Sequence, residues 1–200
     1  MKAVLVSLKP YYYYLVGEGI KKIEVRKGMP KTEDWNRDTF FYMSKDEKSF
    51  SKIPKEFQEK YRKHFGKVGL RFVCDRIDNY ECELWNDEAY ELIRQFNYDE
   101  YGDIEYEHGA ENNENCEMLN KACLTWQDIR KYLGKGFNTC YAWHITDLKV
   151  YDKPQELFDF ANYNKYQVCK EKNCFSDNCW ICPNNAIVVR PPQDWCYVEV

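Results

Sequence analysis

Residues 19–26 read Gly-Ile-Lys-Lys-Ile-Glu-Val-Arg. A glycine turn opens the stretch. Ile23 and Val25 then alternate with Lys22, Glu24 and Arg26, the period-two pattern of a strand with one apolar face. The strand is expected over 21–27, with one face in the core and the other turned to solvent or to a site. Lys21, Glu24 and Arg26 fall within six residues of one another. That spacing can line a small polar cleft able to grip an anionic or hydrogen-bonding ligand.

The flanks set this strand in a series. Residues 2–8 are a short apolar run that reads as a buried strand. Pro10 suits the first position of a helix that Gly17 and Gly19 end. Residues 39–43, Thr-Phe-Phe-Tyr-Met, predict a third strand, Pro54 to Tyr61 a surface helix, and 67–77 a strong alternating strand. The acidic, Asn-rich stretch 97–117 reads as a long loop. Thr125-Trp-Gln-Asp128 resembles a capping box for a helix that runs to Leu133 and stops at Gly134. Residues 139–151 predict one long strand, Gln155 to Phe160 a short helix, and 195–200 a closing strand. No long helix follows each strand, so a doubly wound parallel sheet is disfavoured. The pattern favours an α+β chain: a small, mostly antiparallel barrel with peripheral helices.

Composition bounds the function. The 200 residues are 44% hydrophobic and 17% aromatic, enough for a core and against global disorder. The net charge of −4 does not by itself suggest nucleic acid, but its distribution does. Residues 20–72 hold 15 Lys/Arg against 8 Asp/Glu, whereas 99–117 hold 8 acids and no Lys or Arg. A basic N-terminal half could face phosphates, and the acidic segment could act as a nucleic-acid mimic. The apolar run after Met1-Lys2 is too short for a signal-peptide core, and no stretch approaches the ~18 apolar residues of a membrane span. A cytoplasmic chain with no membrane partner is expected. There is no Gly-rich phosphate loop and no Gly-x-Ser-x-Gly elbow, so hydride-transfer and kinase chemistry are not expected.

In a cytoplasmic chain the ten cysteines are read without disulfides. Cys169, Cys174, Cys179 and Cys182 stand with four, four and two residues between them. Four thiolates so spaced can wrap tetrahedrally around a structural zinc ion, with Cys179-Trp-Ile-Cys182 as one half-site. The segment 165–186 is poor in apolar residues, so a metal staple would help it fold. The alternative is four reduced thiols on a loop. His144, alone within a strand, reads as a structural histidine more readily than a catalyst.

A Lys-Pro pair after the first strand, a short helix, then Gly-x-Lys-x-x-Glu-x-Arg on the second strand resembles the ASCH family of the PUA-like superfamily. Gly19, Lys21, Glu24 and Arg26 fill every defining position. Phe40-Phe-Tyr42, Gly69 to Ile77, Tyr141 to Leu148 and Arg190 to Val198 resemble further strands of that family, the last in a bacterial and phage-type subgroup. The resemblance implies one PUA-like domain over 1–200, with insertions at 44–66 and 97–138 and a Cys-rich segment at 165–186. It also implies RNA or modified-nucleoside binding in a cleft lined by Lys21, Glu24 and Arg26. Lys9, and the rings of Trp35 and Tyr42 on which bases stack, complete the expected ligand set.

Some members of that family are hydrolases, acting as amidohydrolases or nucleases. In an enzyme, Lys21 would serve as nucleophile or proton carrier and Glu24 as acid/base. The amidohydrolase-like members carry a threonine where this chain has Glu24. Binding is therefore the first expectation and hydrolysis the alternative.

Overall fold

The computed structural model describes residues 1–31, 37–84, 90–98, 104–109, 116–134, 138–171 and 186–200, with backbone alone for 82–84, 90–98 and 104–109. The chain divides into two compact units. The first comprises Met1–Glu18, Pro30–Val73 and Asp147–Val200; the second comprises Gly19–Met29 and Cys74–Thr146.

The first unit is built on β1 (Lys2–Leu8), whose Ala3 to Val6 are fully buried. Its two edges are both taken. β11 (Trp195–Glu199) runs antiparallel on one side, and β3 (Asp38–Met43) runs parallel on the other. The sheet continues through β4 (Val68–Val73) to β9 (Thr146–Gln155), and beyond β11 to the two-residue β10 (Ala161–Asn162). Alternation along β1 and β3 sends Ala3, Leu5, Phe40 and Tyr42 into a core with Val68, Leu157, Phe160, Val188 and Val198. Phe41 stacks on Phe72 with centroids 4.7 Å apart.

Helix α1 (Pro10–Gly17) begins on Pro10, which needs no N–H there, after Lys9 in an extended conformation. Its Tyr13, Tyr14, Leu15 and Val16 are buried. The short α2 (Glu47–Phe50) is capped by Asp46, which accepts from Ser49 N at 2.9 Å. Helix α3 (Lys55–Arg62) turns only Tyr61 fully inward. His64 follows it, fully buried, with its Nδ1 3.0 Å from the Tyr13 hydroxyl. Gly69 makes room for this pair: a Cβ there would sit 2.0 Å from His64 Nδ1 and 2.7 Å from the Tyr13 oxygen.

The second unit is a five-stranded sheet in the order β2 (Ile23–Arg26), β8 (Thr139–His144), β5 (Ile77–Leu84), β6 (Tyr90–Tyr98), β7 (Ile104–Gly109). All its pairings are antiparallel. Helices α4 (Glu117–Ala122) and α5 (Trp126–Leu133) bury Met118, Leu119, Ala122, Trp126, Ile129 and Leu133 against Ile23, Val25, Tyr80, Cys140 and Ala142. The capping box forms as expected: Thr125 accepts from Asp128 N, and the Asp128 carboxylate accepts from Thr125 N.

The expected α+β class holds, but the barrel gives way to two open sheets among the described residues. Both edges of β1 are occupied, so β2, the next strand in sequence, pairs with β8 instead. The stretch 97–117 is not one long loop. It contains the end of β6, all of β7, and the first residue of α4. Ile104-Glu-Tyr-Glu-His108 alternates with period two, and its acidic composition masks that signal. The strand expected over 139–151 breaks at Ile145, whose N–H bonds the Lys22 carbonyl at 3.0 Å. Its continuation, β9, runs on to Gln155 and replaces the start of the helix expected there; a 3-10 turn, Leu157–Asp159, is all that follows. Residues 165–171 of the Cys-rich segment lie on α6 (Tyr163–Glu171).

Candidate functional site

The four-residue β2 enters from Gly19, whose φ of 70° lies in the left-handed region that glycine adopts without steric cost. Ile20 is exposed, and Lys21 turns back inward. Within the strand, Ile23 and Val25 belong to the unit's core, and alternation places Glu24 and Arg26 on the opposite face. That face is not open to solvent. Lys21, Glu24 and Arg26 are 2%, 5% and 5% exposed. A surface ion pair on a solvated strand is thereby excluded.

The three side chains are joined. Glu24 Oε1 lies 2.9 Å from Arg26 Nη2, and Oε2 lies 3.3 Å from Lys21 Nζ. Lys21 Nζ also donates to the Ala122 carbonyl at 2.7 Å, at the C-terminal end of α4. The preceding backbone is tied to the same helix, since Lys22 N donates to the Lys121 carbonyl at 2.8 Å. Burial pushes the Lys21 amine below its ordinary value, and the Glu24 carboxylate opposes that shift. Glu24 therefore acts as a brace between two cations, with both oxygens engaged, while the lysine is driven towards its neutral form.

Burying such a cluster costs free energy, and replacing a buried ion network with apolar side chains is often neutral or stabilising. The arrangement is poorly explained by stability alone.

Lys9 and Tyr42 are in the other unit. Lys9 is exposed before α1, whereas Tyr42 is a core residue at 4% exposure. Trp35 lies outside the described residues, as do Cys174, Cys179 and Cys182. Cys169, the one expected zinc ligand within them, is buried on α6. Among the described residues no three His, Cys, Asp or Glu side chains are grouped to hold a metal.

Two partners were not legible from the octapeptide. The Ala122 carbonyl comes from α4, a six-residue helix that follows the acidic stretch and that no expected element covered. The second is Asp78 on β5, 8% exposed, whose Oδ2 lies 2.7 Å from His144 Nε2. Arg76 joins them, with Nε 3.2 Å from Asp78 Oδ1 and Nη2 3.0 Å from His144 Nε2. His144 thus has a buried carboxylate partner, and it stands opposite Ile23 in the β2–β8 register.

No family model matches the chain, and no curated protein matches it. Solved structures do. The chain is similar to ASCH from Zymomonas mobilis. The crystal structure of that protein matches at 13% identity and a TM-score of 0.45, over 98% of this chain and 87% of the other. Structures of two mutants of the same protein match at 14% identity and a TM-score of 0.47, covering 100% and 98% of this chain and 91% and 88% of theirs. No helix among the described residues is long and apolar enough to cross a membrane.

Proposed function

We propose that the chain binds RNA or a modified nucleoside through Lys21, Glu24 and Arg26. The observation that carries this reading is the buried, mutually bonded trio on a four-residue strand. Two cations held by one carboxylate form a preorganised donor set. Arg26 and Lys21 suit a phosphate or a base carbonyl, and Glu24 suits an exocyclic amine. The motif's resemblance to the ASCH family points the same way, and a cytoplasmic setting fits such a ligand.

Filter binding with single-stranded RNA tests it. The wild-type protein is expected to bind with a salt-sensitive affinity. Lys21→Met and Arg26→Met, each verified as folded by circular dichroism, should each weaken binding about tenfold or more, the scale of a lost charge-assisted hydrogen bond. Wild-type binding no better than that of an unrelated acidic protein overturns the reading.

The downward shift of Lys21 favours one alternative, hydrolysis of RNA or of a modified nucleoside with Lys21 as proton carrier and Glu24 as its partner. Incubation with acetylated nucleosides and RNA, followed by mass spectrometry, separates the two; turnover that survives Lys21→Ala counts against it. Structural zinc on Cys169, Cys174, Cys179 and Cys182 rests on their spacing. Metal analysis of the purified chain should find about one equivalent, as a single four-thiolate site requires.

A further inference from the structure

We propose that Arg76 and His144, braced by Asp78, form a second phosphate-contacting site for the same RNA, and that binding there takes up one proton. The proposal rests on the RNA reading above and adds a location that the Gly19–Arg26 motif does not contain. The two places are distinct in the fold. The β2–β8 register sets His144 opposite Ile23 and Glu24 opposite Trp143. Successive strand residues face opposite ways, so His144 and Glu24 project from different faces of the sheet. Asp78 pairs with Ala142 in the β5–β8 register, which puts it on the His144 face.

Two groups compete for His144 Nε2: Asp78 Oδ2 at 2.7 Å and the Arg76 Nε–H directed at it from 3.3 Å. An ionised carboxylate only accepts, so we assign the imidazole hydrogen to Nε2, towards the closer partner, and the Arg76 contact to Nε2 is then not a hydrogen bond. In the neutral ring Nδ1 then carries a lone pair and cannot donate. Arg76 lies along the imidazole, with Nε 3.3 Å from Nε2, and Nη2 3.0 Å from Nε2 and 3.5 Å from Nδ1. Its Nε also engages Asp78 Oδ1 at 3.2 Å. The Nη1 group has no partner among the described residues. The Arg76 side chain is 56% exposed and that of His144 17%, against 8% for Asp78. Solvent thus meets the two nitrogen-bearing groups, and the carboxylate sits behind them.

Arg76 and Asp78 cancel in formal charge. The cluster is neutral with a neutral ring and carries one positive charge with an imidazolium. A phosphate oxygen taken by Arg76 Nη1 and His144 Nδ1 needs donors from both, and Nδ1 donates only when protonated. Phosphate binding and proton uptake at Nδ1 are therefore one event. The other titratable groups on the surrounding segments include Cys74, Asp75, Tyr80 and Glu81 beside and along β5, Cys140 and Tyr141 on β8, and Lys21, Lys22, Glu24 and Arg26 before and on β2. On α4, Lys121 and Glu117 pair with each other at 2.5 Å.

The test is fluorescence anisotropy of a labelled single-stranded oligouridylate with the full chain, at fixed salt, from about pH 8 to about pH 5.5, which spans imidazole titration. Affinity should rise as pH falls, by no more than about tenfold per pH unit, the limit for one linked proton. His144→Gln should flatten that rise, because Nδ1 contributes only when protonated. Arg76→Gln should weaken binding and reduce the salt slope by about one. As a check that needs no variant, long-range proton–nitrogen spectra of the wild type should show His144 Nδ1 becoming protonated when the oligonucleotide is added. A pH dependence unchanged in His144→Gln, or an Nδ1 signal that does not move, overturns the second site and leaves the first intact. No binding by the wild type at any pH overturns the function proposed above instead.

Discussion

At Glu24 one carboxylate is enclosed with two cations, 2.9 Å from Arg26 and 3.3 Å from Lys21. Taking that charge away leaves buried cations without their brace. Glu24→Gln is expected to destabilise the chain by roughly 3 kcal/mol in urea unfolding, the scale for breaking a buried ion pair from one side. A change below about 0.5 kcal/mol, the range of ordinary surface substitutions, would show the trio to be solvated. His64 gives a pH prediction. Its side chain is fully buried, and burial first, then Lys63 and Lys60, push its pKa from 6.5 to about 4. The folded form thus holds the ring neutral at pH values where the unfolded chain would protonate it. The stability this contributes is fully present above about pH 6.5 and is lost as pH falls through about 4. The loss is of order 3 kcal/mol. His64→Leu should remove this acid limb from the curve of unfolding free energy against pH; an unaltered limb would assign it to other groups.

Single elements were legible where a local signal agreed with the tertiary environment. The run Ala3–Val6, Pro10 at a helix start, and Thr125 with Asp128 each found the expected structure within a residue or two. The cap can be tested alone: Thr125→Ala should cost about 1 kcal/mol, read by thermal or urea unfolding. No change would mean that the packing of Trp126 and Ile129 holds α5 without it. The octapeptide was likewise legible as a strand that brings Lys21, Glu24 and Arg26 together. Its burial was not, because charge alternating with apolar residues ordinarily means a wet face. Strands β5, β6 and β7 escaped notice for another reason. Their partners are one another and β8, so backbone pairing sustains them despite acidic and polar composition. Pairings such as Asp78 with His144, 66 residues apart in sequence, follow from register and leave no local trace.

On the scale of the whole molecule, neither compact unit is a continuous length of chain. The backbone passes from one to the other after Glu18, Met29, Val73 and Thr146. β2 returns to a sheet whose other strands lie more than fifty residues later, and β1 depends on β11 near the far end of the sequence. A fragment ending at residue 146 lacks β11 and most of β9. It should leave a β1 edge unpaired and a core without Leu157, Phe160, Val188 and Val198. Such a fragment is expected to fail to give a cooperative unfolding transition or dispersed amide spectra; a cooperative, monomeric fragment would contradict this account of the first core.

The bond from Lys21 to the Ala122 carbonyl has a consequence for how occupancy would be sensed. An ammonium at the end of α4 ties off a helix carbonyl that has no partner further along the helix. A ligand that draws the amine away unties that end, and water must take its place. Fraying of the last turn of α4, seen as faster amide exchange there, becomes a signature of a filled site that needs no knowledge of what fills it.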